Sequence, residues 1–225
     1  MSETFTLLYT WTPFLLTGFM WNVLVTLLAV VIGTVVGAGL AAMRVKQTGL
    51  ASRVGDVLSR IFRNVPTLAF LFFAAMAIPR ELTVWGVGIA FPLWLKAALG
   101  MSASVIGFTA ESLLVAYQNL RRKDYAASLL FLPTWGSSVM ISFIASSTAS
   151  LVGVSELVGR GNAIIAATGT DALFPVYIYC ASFFVVACLA WMALMKRLRH
   201  SETIRALPQH IDTKWSLSAP APTAP

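Results

Sequence analysis

FTAESLLVAYQNLRRKDYAASLLFLP, residues 108–133, is the stretch on which the reading of this chain turns. It begins inside an apolar run that carries one carboxylate, Glu111. It leaves that run through Arg121, Arg122 and Lys123, makes a short amphipathic turn at Asp124-Tyr125-Ala126-Ala127-Ser128, and returns to apolar sequence at Leu129. A basic cluster between two apolar runs marks a cytoplasmic connection between membrane helices, because Lys and Arg near span ends stay on the cytoplasmic side. Residues 118–135 are therefore read as a loop with a small docking surface. One membrane helix enters it and another leaves it.

The composition agrees. The chain is 58% hydrophobic and 11% charged, with a mean hydropathy of +0.79, whereas a soluble domain carries about 25% charged residues. Lipid, not water, is its solvent. Long unbroken apolar runs point to helices and not to a barrel, whose strands alternate at period two. The net charge of +7 sits in short clusters between apolar runs, so no nucleic-acid partner is expected.

About five transmembrane helices follow, over 14–43, 66–78, 93–117, 136–154 and 173–195. Residues 50–62 have helical apolar spacing and suit the membrane interface ahead of the second span, to which they can add length. Residues 79–81 read as a turn and 155–171 as a polar outer segment. Residues 1–13 are a polar-aromatic lead-in and 14–200 the membrane domain. The tail, 201–225, ends APAPTAP and is expected to be disordered. No cleavable signal peptide is expected. With the N-terminus outside and the C-terminus cytoplasmic, all of the 16 Lys and Arg except Arg80, Lys96 and Arg160 fall on the cytoplasmic side. Lys96, near the outer end of the third span, reads as a snorkelling side chain. Gly33 and Gly37 form a G-x-x-x-G pair that lets another helix approach closely, unless they are only the glycines common in membrane helices.

Few residues carry chemistry. Glu111 is costly inside a span. It either meets the cationic group of a solute, or it is paired within the bundle or held protonated; no base lies within one turn of it, so any protein partner comes from another span or subunit. Ser142, Ser146 and Ser150 share a face at i, i+4, i+8, with Ser147 beside them. They either line a polar path or hold helices together. Glu156 and Arg160, at i and i+4, form either a surface pair or a contact for a soluble partner outside the membrane. Cys180 and Cys188 are about 12 Å apart along a helix, too far for a disulfide. There is no phosphate-binding glycine loop and no metal-ligand cluster, so no catalysis, metal or cofactor is expected of the chain.

Several stretches resemble the membrane subunits of bacterial ABC importers for amino acids. Asn22-Val23-Leu24-Val25-Thr26-Leu27 resembles the family's Thr-rich opening helix, and Arg63-Asn64-Val65-Pro66-Thr67 its Arg-Gly-Thr-Pro. Ala110-Glu111-Ser112 resembles its Ala-Glu segment, and Leu151-Val152-Gly153-Val154-Ser155-Glu156-Leu157 its Val-Ile-Gly-Val-Pro-Glu-Leu. The resemblance covers residues 14–200. It implies the ABC importer permease (MetI-like) fold in a bacterial inner membrane. Arg122, Lys123, Asp124, Tyr125, Ala126 and Ala127 then form the loop that couples to an ATPase dimer. Further partners implied are a second permease subunit, a periplasmic solute-binding protein and a polar amino-acid substrate. The loop is a shortened variant of the family's Glu-Ala-Ala motif: Tyr125 stands in place of the acid and Phe131 in place of a later glycine. A non-transporting scaffold subunit and an ATP-independent secondary transporter are the alternatives.

Overall fold

The computed structural model describes residues 2–84, 87–202, 204 and 206. The elements run α1 (Ser2–Arg44), α2 (Gly49–Asn64), α3 (Thr67–Ala77), β1 (Glu81–Val84), β2 (Val87–Ala90), α4 (Leu93–Arg121), α5 (Tyr125–Ser128), α6 (Phe131–Ala145), a 3₁₀ segment (Ser146–Val152), α7 (Leu157–Thr168) and α8 (Leu173–His200). Among the described residues, four helical stretches are long and apolar enough to cross a membrane: Phe5–Arg44, Leu93–Arg121, Tyr125–Val152 and Thr170–His200. The tail beyond residue 206 lies outside the described residues.

α4 is the central helix. Apart from Leu99, its residues from Lys96 to Gly107 are all buried, and most are small. Small side chains let neighbouring backbones approach, which matters in lipid because apolar side chains gain little by leaving it. The glycine pair on α1 meets α4 as the sequence predicted. A methyl on Gly33 would fall 2.5 Å from Val105 Cβ, and one on Gly37 would fall 2.8 Å from the Ile106 carbonyl oxygen. Two glycines of α4 do the same for other helices. A methyl on Gly100 would meet Leu71 Cα of α3 at 2.6 Å, and one on Gly107 would meet the Arg63 nitrogen of α2 at 2.7 Å. The core at this junction comprises Val25, Ala29, Leu71, Ala97, Ala98, Met101, Ala149 and Val154.

The second span differs from its expectation. α3 has 11 residues, a rise of about 16 Å, against the roughly 30 Å of a hydrocarbon core. It is long and apolar enough for a span only when taken together with α2, from which it is bent by 101°. Pro66 explains the bend. It has no N–H to continue α2, and it holds Val65 extended at φ −81, ψ 131. α2 packs its small residues Ser52, Gly55 and Ser59 inward and leaves Leu50, Val57 and Ile61 exposed, as an interfacial helix does.

Three further differences concern the outer parts. The all-helical class expected of the chain holds, with one short hairpin added: β1 and β2 pair antiparallel, with Glu81 opposite Ala90 and Val84 opposite Val87. Only the turn before this hairpin was anticipated. α1 begins at Ser2 and runs through Pro13 for 43 residues, so the lead-in is helical. Within the expected polar outer segment, residues 157–168 form the helix α7, whose Leu157 and Ile164 pack with Leu15, Val176 and Cys180. α8 is peripheral. Phe174, Ile178, Val185, Val186 and Leu189 are all more than half exposed, an apolar face suited to lipid.

Replacing Gly100 by Ala should destabilise the fold by about 1–3 kcal/mol, because a backbone has to move to admit the methyl. Gly39, also in α1 but off the i, i+4 pattern, has nothing within 4 Å of an added methyl. Gly39→Ala should leave the unfolding temperature in detergent unchanged or slightly raised.

Candidate functional site

The polar residues gather at two levels. One level is a buried junction between α1, the 3₁₀ segment and α7. Asn22 is fully buried. Its Nδ2 donates to Ser146 Oγ at 2.9 Å and to Glu156 Oε2 at 2.9 Å, and its Oδ1 accepts from the Leu157 amide at 3.0 Å. Glu156 caps α7, accepting from the Val158 and Gly159 amides at 2.9 Å each. A carboxylate is stable at a helix N-terminus, where unpaired N–H groups and the positive end of the dipole converge.

This corrects the surface reading of Glu156. At 0% exposure it can touch no soluble partner, and its oxygens are taken up by Asn22 and the α7 amides. Arg160 does not pair with it. The guanidinium lies 4.6 Å from the centre of the Phe14 ring. It donates to the carbonyls of Ser155 at 3.1 Å and Phe14 at 2.9 Å, and to the Thr17 hydroxyl. Arg160 thus ties α7 to α1 and remains half-exposed. Asn22 is the residue of this junction that sequence reasoning did not single out. Its signal was an amide in the middle of an apolar run, where an unpaired polar group costs several kcal/mol.

The serines do not form one stripe. Ser142 and Ser146 are fully buried. Ser146 is bonded to Asn22 and donates to the Phe143 carbonyl at 2.6 Å, whereas the Ser142 hydroxyl has no partner. Ser147 faces an apolar cavity beside Ile144, Val158 and Tyr177. Ser150 lies against Gly159, where an added methyl would meet its Cβ at 3.3 Å. The spacing fails because the helix tightens to 3₁₀ after Ala145, which rotates later residues off the α-helical face.

The second level is an ionic cluster at the end of α1. Glu111 Oε2 accepts from Arg44 at 3.1 Å and lies 3.4 Å from Arg63. Arg44 also reaches Asp56 at 3.1 Å, and Asp56 reaches Arg60 at 2.7 Å. Of the two alternatives for Glu111, the structure displays pairing with bases from other helices. The carboxylate is also less deep than its span suggested, being level with the last residue of α1. α4 continues to Arg121, about 15 Å further along its axis.

Beyond that cluster α4 projects and ends in the basic turn. Arg121, Arg122, Lys123, Asp124 and Ala126 are exposed. Lys123 turns the chain at φ 61, and Asp124 caps α5 by accepting from the Ala127 amide at 3.0 Å. The four-residue α5 leads into α6 within a few residues. The loop residues named from the sequence therefore lie together on one projecting turn.

Lys96 departs from its expectation. It does not snorkel: it is 1% exposed and points inward, donating to the Ile78 carbonyl at 2.6 Å.

No protein-family model and no curated protein sequence matches the chain. Its fold is similar to that of a chain in the crystal structure of an amino acid ABC transporter with histidines. The two share 19% identity at a TM-score of 0.70, over 85% of this chain and 95% of that one. At that identity the likeness is one of fold.

The junction makes contrasting predictions for two buried polar residues. Asn22→Leu removes an acceptor from the Leu157 amide and a donor from a buried carboxylate. It should lower stability by about 1–3 kcal/mol. Ser142→Ala removes a hydroxyl with no partner and should leave thermal unfolding unchanged or raise its midpoint.

Proposed function

We propose that the chain is the membrane permease subunit of an ATP-driven ABC importer for polar amino acids in a bacterial inner membrane. In this reading the N-terminus is outside and the C-terminus cytoplasmic. The observation that carries the proposal is the likeness of fold, over nearly the whole of the matched chain, to a component of an amino acid ABC transporter. The position of the basic turn supports it. Arg122, Lys123, Asp124, Tyr125, Ala126 and Ala127 stand at the tip of a 29-residue helix whose other end is buried among α1 and α3.

The mechanism follows from stiffness. An ATPase dimer closing on nucleotide displaces α5. The displacement enters α4 at its C-terminal end, and α4 moves as a rod because its middle is packed against α1, α2 and α3. A second permease chain, of the same or a different sequence, completes the path, and the rocking of two such bundles opens it to alternate sides. Solute arrives from a periplasmic binding protein. Arg160 is the contact candidate that stays accessible.

Glu111 is the exchangeable group in this scheme. Its bonds come from other helices, and the one to Arg63 is long, so a solute ammonium can compete for it. Ser142, Ser146, Ser147 and Ser150 remain path candidates only where helix motion uncovers them. A scaffold subunit is the second reading, favoured by the brevity of α5, which has four residues.

Replacing Asp124–Ala127 by a Gly-Ser linker should leave ATP hydrolysis by the assembled complex intact and abolish uptake of a radiolabelled amino acid. Retention of uptake would sink the coupling role. Absence of any ATPase from the purified complex would sink the importer itself. Glu111→Gln should reduce uptake severalfold without changing the subunits recovered, and unchanged uptake would remove Glu111 from the path.

A further inference from the structure

A cavity of about 470 Å³ opens between the end of α3, the first turn of α4 and the 3₁₀ segment. Its walls include Met76, Leu151 and Val152, and two cations belong to it, Lys96 inside and Arg80 beside it. Arg80 is exposed and Lys96 is not. Among the described residues no carboxylate pairs with either one.

A buried ammonium is expensive unless it is paired and its donors are used. Lys96 carries three N–H donors, and its hydrogen bond is to the Ile78 carbonyl, just past the last turn of α3. The negative end of the α3 dipole, roughly half a charge, offsets part of the cost. Lys96 also lines the cavity, whose lining residues include no acid. The cavity's volume lies within the range of small-molecule sites, which begin at roughly 300 Å³.

We infer that this cavity is a binding site for a carboxylate on a small solute with a short apolar body, held by the Lys96 ammonium with Arg80 at the rim. A singly charged group suits the site. Lys96 acts as a point charge and not as a bidentate fork, and the walls are partly apolar. The site lies at the opposite end of α4 from the basic turn. An amino acid's carboxylate is one group of the required kind, so under the transport reading this is an outer stop on the solute's route. Binding to the purified chain and uptake by the complex are separate measurements and fail separately.

The test uses the full chain in nanodiscs of phosphatidylcholine. Calorimetric titration compares 3-methylbutanoate with 3-methylbutanamide, which has the same shape and no charge. The acid should bind and the amide should not. Lys96→Met should weaken the acid by about tenfold or more, the scale of one desolvated ion pair, and Arg80→Gln should weaken it less. Should Lys96→Met fail to fold, the acid–amide comparison on the wild type decides alone. Equal binding of acid and amide, no binding of the acid, or unchanged binding to a folded Lys96→Met overturns the site. So does loss of acid binding in nanodiscs containing phosphatidylglycerol, which would make a lipid headgroup the occupant.

Discussion

The structure depends on how closely other backbones can approach α4. In lipid, burying a leucine gains little, so helices are held by dense packing of small residues and by polar contacts. α4 supplies small residues toward two helices, Gly100 toward α3 and Gly107 toward α2, and it sets Val105, Ile106 and Thr109 against the small residues of α1, its glycine pair. A single added methyl at any of these contacts would press on backbone or on a β-branched side chain. That tightness makes α4 a rod instead of one flexible span among several.

Two polar assemblies lock the rod's neighbours in place. At one end, Arg44 joins Asp56 of α2 to Glu111 of α4, so α1, α2 and α4 share one ionic cluster. Half-exposed pairs of this kind are weak singly. Arg44, with a side chain only 11% exposed, serves two carboxylates at once and draws more from the network. At the other end, Asn22 uses both ends of its amide to join α1 to the 3₁₀ segment and to the start of α7. Short helices such as α2 and α7, which cannot span alone, are thereby fixed against long ones.

The arrangement relates position to role. The basic turn extends beyond the ionic cluster, where a soluble partner can reach it. The Lys96 cavity lies at the far end of the same helix. Whatever displaces one end of α4 acts on an element that also forms the wall of that cavity.

The membrane class, the rough extent of four spans, the basic ends and the projecting loop were legible along the chain. Hydropathy and charge are local sums, and lipid imposes them whatever the tertiary arrangement. The glycine pair of α1 was legible for the same reason, since close approach needs only small residues at i and i+4. The direction in which each polar side chain points was not. Glu156 turned inward because Asn22, distant in sequence, and the α7 amides meet it there. Lys96 turned inward because α3 ends beside it. Glu111 found its bases on α1 and α2. The serine spacing was misleading because the helix changes pitch beneath it. When nearly every face of a helix is apolar, periodicity no longer marks which face is buried, so only the contact between elements could decide these orientations.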